Sequence, residues 1–145
     1  MSAPCARALA VAACIALAAC RPDGEIEVRN AYLERPLPGT TVSAGYFEIE
    51  NHGDAAVMLT GAAGDSARAI ELHEHVLDGD MMRMRKLDAV VLTPGQRIAF
   101  EPGGRHLMIF DLDAQHTPVV IRLTFADHAP VAVEFAVRDR TGGGG

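Results

Sequence analysis

The sequence predicts an all-β domain, a Greek-key sandwich or barrel, and three observations carry that expectation. Apolar residues recur at every second position in several short runs, turn-forming residues fall between the runs, and no segment after residue 24 holds a helical period. Short strands spaced in this way are the pattern of antiparallel sandwiches and barrels.

The elements follow in order along the chain. Residues 1–19 read as a signal peptide: Arg7 supplies the positive start, and Ala8 to Ala19 is an apolar run of twelve residues. That run is too short to cross a bilayer as a helix and suits the apolar centre of a secretory signal. Its end, Leu17-Ala18-Ala19-Cys20, resembles the lipobox of bacterial lipoproteins. The resemblance implies cleavage before Cys20, a lipid on that cysteine, and a membrane anchor. In a two-membrane bacterium it favours the outer membrane. Residues 20–24 then form the lipidated N-terminus and tether, 25–139 the folded domain, and 140–145 a flexible Gly-rich tail.

Within the domain, the alternation is clearest in Val119, Ile121, Leu123 and Phe125, and again in Val131, Val133, Phe135 and Val137. Ile26 and Val28, Phe47 and Ile49, and Ile98 and Phe100 are shorter examples. Turns are signalled at Pro36-Leu37-Pro38-Gly39, Asn51-His52-Gly53-Asp54, Asp78-Gly79, Pro94-Gly95 and Pro102-Gly103-Gly104. About 115 residues suffice to close one core.

Composition excludes several functions. The 145 residues carry 13 Lys+Arg against 19 Asp+Glu. Loss of residues 1–19 removes only Arg7 among the charged groups, leaving 12 cationic against 19 acidic side chains and a formal charge of −7. An acidic domain lacks the basic face that nucleic acid requires. All three cysteines, Cys5, Cys14 and Cys20, lie in the first twenty residues. The domain is therefore thiol-free, which excludes a disulfide framework, a cysteine-based zinc site, a thiol nucleophile and a blue-copper centre. No Ser/His/Asp or paired-carboxylate arrangement stands out, so no enzymatic activity is expected. The loop acids Asp78, Asp80, Asp111 and Asp113 read as solvated turn residues.

Histidine and methionine are where chemistry concentrates. One segment runs Glu71-Leu72-His73-Glu74-His75-Val76-Leu77-Asp78-Gly79-Asp80-Met81-Met82-Arg83-Met84, and a second is Arg105-His106-Leu107-Met108. Asp-Gly between β-like runs signals a tight hairpin. A two-residue Asp78-Gly79 turn pairs His75 with Met82 and His73 with Met84, all on one face. Directly opposed side chains stand about 4.5–5.5 Å apart at Cβ. Glu74 then faces Arg83 on the other side, which fits an edge hairpin. In the second segment Leu107 and Ile109 point one way, into the core, and His106 and Met108 the other, outward or into a loop. Thioethers with imidazoles select Cu(I), and neither must lose a proton to bind it at neutral pH. Zinc prefers Cys, His or carboxylate. Isolated methionines are usually core filler, and Met58 and Met81 are read so. His52, His116 and His128 sit beside turns and are assigned no role.

His73, ten intervening residues, Met84, twenty-one intervening residues and then His106-Leu107-Met108 resemble the signature of the periplasmic copper chaperones called PCu(A)C. Ala44-Gly45-Tyr46-Phe47-Glu48-Ile49-Glu50-Asn51 and Pro102-Gly103-Gly104-Arg105 are similar to the same family, so the resemblance spans the domain. It implies a cupredoxin-like β-barrel with a solvent-accessible Cu(I) site built from His73, Met84, His106 and Met108. It also implies delivery of copper to the dinuclear centre of cytochrome c oxidase, on its subunit II, in some members beside a Sco-type protein, or else general copper homeostasis. A monomer is expected. His75 and Met82 fall outside the four-ligand motif, as secondary ligands or as walls that exclude water, the second role being preferred. The tail Thr141-Gly142-Gly143-Gly144-Gly145 lacks the extra His and Met that some relatives carry. A structural lipoprotein that uses the Met-rich hairpin as a protein contact is the remaining alternative.

Overall fold

The computed structural model describes residues 25–140. The expected signal peptide, Cys20, the tether and the glycines of the tail lie outside the described residues. Ten strands follow in chain order: β1 Ile26–Glu34, β2 Val42–Asn51, β3 Val57–Ala63, β4 Ala69–Asp78, β5 Met81–Lys86, β6 Val90–Leu92, β7 Arg97–Phe100, β8 Arg105–Phe110, β9 Val119–Phe125 and β10 Val131–Arg138. No helix occurs among the described residues.

The strands form one sheet in the order β5-β4-β8-β7-β2-β1-β10-β9-β3-β6. Direct β2–β8 pairing and a β3–β4 contact at Ala62↔Ile70 close it on itself as a barrel. β5 lies outside that ring as an edge strand on β4, and β6 does the same on β3. Closure removes most free edges, which otherwise invite pairing with other chains. β1 and β10 run parallel, joining the two ends of the domain.

Alternation explains the inside of the barrel. Val119, Ile121, Leu123 and Phe125 are all buried, while Val120 and Arg122 between them face out. Val133 and Phe135 are buried in β10, with Val131 and Val137 half-buried at its ends. Phe47 stacks on Phe100 at 4.3 Å between centroids and meets Phe135 edge-on at 5.8 Å. Such pairs add about 0.5–1.5 kcal/mol beyond their buried area.

β2 changes partner along its length. Its Phe47–Glu50 half pairs with β7, and its Val42–Gly45 half pairs with β8. Gly45 permits the second pairing, because a Cβ there would stand 3.1–3.3 Å from Leu33, Ile109 and Leu107. Asn51 ends the strand as a buried polar residue. Its amide donates to the carbonyls of Ala55 and Leu92, and its Oδ1 accepts from the Gly53 N–H. Asx geometry of this kind is why Asn51-His52-Gly53 turns.

Several sequence expectations change. The hairpin turn is Gly79-Asp80, with β4 ending at Asp78, rather than Asp78-Gly79. Gly79 has φ +63°, and Asp80 is not among the residues with positive φ. Gly at the first central position alone suits a II′-type turn, whereas Asp-Gly would need positive φ twice. Met58 and Met81 are exposed rather than core filler. Met58 alternates outward beside the buried Leu59, and Met81 lies in β5, whose residues are all exposed. β3 and β6 were not legible as strands: β3 ends in Gly61-Ala62-Ala63, which carries no alternation, and β6 is three residues long.

Candidate metal centre

The candidate site lies on the outer face of β5, β4 and β8, and strand register assembles it. His73 of β4 pairs with His106 of β8 on one side and with Lys86 of β5 on the other. One row along, His75 pairs with Met84. One row the other way, Glu71 pairs with Met108. Paired residues share a face and residues two apart return to it. His73, His75, Met82, Met84, His106 and Met108 are therefore all on one surface.

The shift of turn corrects the pairing expected from sequence. His75 faces Met84 instead of Met82, Leu77 faces Met82, and His73 faces Lys86 instead of Met84. The slip is two residues on the β5 side, which preserves the face. It likewise moves the charge pair on the opposite side. Glu74 is bonded to Arg85, and Arg83 reaches Asp78 at 2.8 Å.

Below the site, Leu72 and Leu107 pair with each other and are buried in the core. His106 and Met108 flank Leu107, so its packing sets where both side chains leave the sheet. His106 is not outward in the sense of solvent: it is only 4% exposed. Two imidazoles cover it. His75 stacks on it at 4.9 Å between centroids, and His73 lies at 6.0 Å. Among the described residues these three imidazoles do not all converge within 4.8 Å of one another. Met84, by contrast, is 48% exposed and Met108 is half-buried.

Polar contacts fix the rings. His106 Nδ1 is 3.2 Å from the Gly104 carbonyl, which accepts only, so Nδ1 carries the hydrogen and Nε2 the lone pair. Burial lowers the His106 pKa, with smaller contributions from His75 and His73. His73 Nε2 lies 2.9 Å from a Glu71 carboxylate oxygen, and the other Glu71 oxygen accepts from Lys86 Nζ at 2.9 Å. Those bonds, His73 first and then Lys86, hold the Glu71 carboxyl below its ordinary range. Nδ1 of His73 and Nδ1 of His75 are buried with no hydrogen-bond partner. Orphaned buried nitrogens are rare and need an explanation. Both belong to histidines on the site face.

Sequence reasoning missed a second cluster. His52 Nε2 is 2.8 Å from Glu27 and 3.8 Å from Glu50, and ligand atoms of these three residues lie within 4.8 Å of one another. Both carboxylates already hold guanidinium groups, Glu27 that of Arg29 and Glu50 that of Arg97. The cluster is thus balanced in charge. Sequence carries no signal for it, because Glu27 and Glu50 meet only through the β1–β2 register.

Comparison with solved structures places the fold. The copper-bound PCuAC domain from PmoF2 matches with a TM-score of 0.66 at 24% identity, covering 80% of this chain and 94% of that domain. The Cu(I) form of DR1885 from Deinococcus radiodurans matches at 0.64 and 20% identity, over 86% of this chain and 85% of that one. The chain thus has the cupredoxin-like fold of PCuAC domains. A family model described as "Putative lipoprotein LpqE-like" matches residues 26–137, and the chain belongs to that LpqE-like family. A protein of Leifsonia xyli subsp. xyli named "Putative lipoprotein Lxx21020" is 28% identical over 126 residues, 83% of this chain and 73% of its own length. An uncharacterized protein of Rickettsia prowazekii is 33% identical over 70 residues, 48% of this chain and 39% of its own length.

Proposed function

We propose that this protein is a copper carrier that works outside the cytoplasm and holds one Cu(I) between His73, Met84, His106 and Met108. The observation that carries this reading is the register of β4 with its two neighbours: β8 sets His106 beside His73 and Met108 one row along, and β5 brings Met84 to the row on the other side. Two imidazoles and two thioethers on a thiol-free domain suit Cu(I) better than Zn(II) or Cu(II). The buried Nδ1 of His73, which has no hydrogen-bond partner, supports the same reading, as do the copper-loaded neighbours of the same fold. His106 and Leu107 root the site in a rigid barrel, and the exposed Met84 gives an acceptor a ligand to approach. A tight yet open site is what transfer requires.

The family description and the Leifsonia name support a lipoprotein. On this reading Cys20 bears the lipid, residues 1–19 are removed, and the domain of 25–139 works as a monomer tethered at a membrane face. The recipient is a cuproprotein, with the dinuclear copper centre on cytochrome c oxidase subunit II first in order and a Sco-type protein as its companion. General copper homeostasis is the second reading. An anaerobic assay with Cu(I)-loaded protein tests the choice. The delivery reading expects copper to pass to an apo oxidase copper domain and not to a copper-resistance protein; the reverse preference favours homeostasis. Failure of the chain to bind Cu(I) at all ends both.

A further inference from the structure

We propose that Glu71, clamped by Lys86, is a positioning residue that holds His73 as the Nε2–H tautomer and so reserves Nδ1 for the metal. This inference rests on the copper reading above and adds a residue pair that the four-ligand motif does not contain.

Glu71 and His73 are two apart on β4, so they share the site face. A carboxylate at neutral pH accepts and does not donate. The 2.9 Å contact between Glu71 Oε2 and His73 Nε2 therefore places the hydrogen on Nε2. Neutral imidazole has one hydrogen, which leaves Nδ1 as the lone pair. That atom is buried and has no hydrogen-bond partner.

Lys86 completes the device. It sits across the β4–β5 ladder from His73, and its Nζ donates to Glu71 Oε1 at 2.9 Å. The lysine thus occupies one carboxylate oxygen and leaves the other for the ring. His106 is set in the opposite sense, with Nδ1 bonded to the Gly104 carbonyl and Nε2 free. The two paired histidines consequently offer different nitrogens. Metal-bound histidines commonly give their second ring N–H to a carboxylate or carbonyl, and losing that partner typically costs about 10–100-fold in affinity.

Long-range ¹H–¹⁵N NMR of the ¹⁵N-labelled metal-free protein reads the tautomer directly, and Cu(I), being diamagnetic, allows the same reading after loading. The expected result is an Nε2–H signal for His73 in the metal-free protein and a coordination shift confined to its Nδ1 after Cu(I) addition. Glu71→Leu should lower the Nε2–H population and weaken Cu(I) binding by about 10–100-fold. Lys86→Met should act in the same direction by less. An Nδ1–H tautomer in the metal-free protein, or a Cu(I) shift on Nε2, overturns the inference. Unchanged tautomer and affinity in Glu71→Leu do so too. A wild type that takes up no Cu(I) instead contradicts the copper reading, and the metal-free tautomer still decides the Glu71 contact separately.

Discussion

Met84 stands directly across the β4–β5 ladder from His75, and the ring of His75 stacks on that of His106 at 4.9 Å. The imidazole outside the four-residue motif thus lies between two members of the motif. In the proposed site it covers His106 and keeps water from the metal.

Replacement of this ring tests that role. His75→Phe keeps the stacking surface and removes both nitrogens. One Cu(I) equivalent should still bind, with an affinity within the 10–100-fold loss typical of groups around a metal rather than on it. His73→Phe should lose more than about 100-fold, beyond that range. Met82→Leu should leave stoichiometry unchanged, since Met82 faces Leu77 and not a histidine. A competition titration against a Cu(I) chelator reads all three.

The core beneath the site offers a stability prediction. Leu107 is fully buried between His106 and Met108 in sequence. Leu107→Ala should cost about 2–5 kcal/mol, the range for a large-to-small change that leaves a cavity. The urea midpoint measures it. Cu(I) affinity should fall along with it, because both neighbouring residues of the proposed site lose their footing.

The turn can be tested apart from the metal. At Gly79, φ is +63° and a Cβ would meet nothing within 4 Å, so Gly79→Ala carries conformational strain alone. About 1–2 kcal/mol is expected for an L-residue in that region. Asp78→Val should cost about 0–1 kcal/mol, because Asp78 is a strand residue that loses one exposed ion pair with Arg83. A larger cost for Asp78→Val than for Gly79→Ala in urea melts would return the turn to Asp78-Gly79.

How far the sequence revealed this molecule depends on the kind of signal. Strands with one buried face, such as Val119–Phe125, alternate openly and were legible. The face shared by the His and Met residues was legible too, because parity survives a two-residue slip. The register itself was not, since Asp78-Gly79 and Gly79-Asp80 are both acceptable turns and only the pairing of Asp78 with Met81 separates them. Burial of His106 was also hidden: alternation gives the side of the sheet, not what covers it. The Glu71–Lys86 pair was hidden for the same reason, being an acid and a lysine on different strands brought together by the corrected register.

The most direct test of the copper site is X-ray absorption at the copper edge, with a parallel Cu(I) titration, on the wild type and on Met84→Leu/Met108→Leu. The wild type should hold about one tight equivalent with both nitrogen and sulfur neighbours. The double variant should lose the sulfur scattering and bind Cu(I) far more weakly. Equal affinity and undiminished sulfur scattering in the double variant would contradict the proposed site.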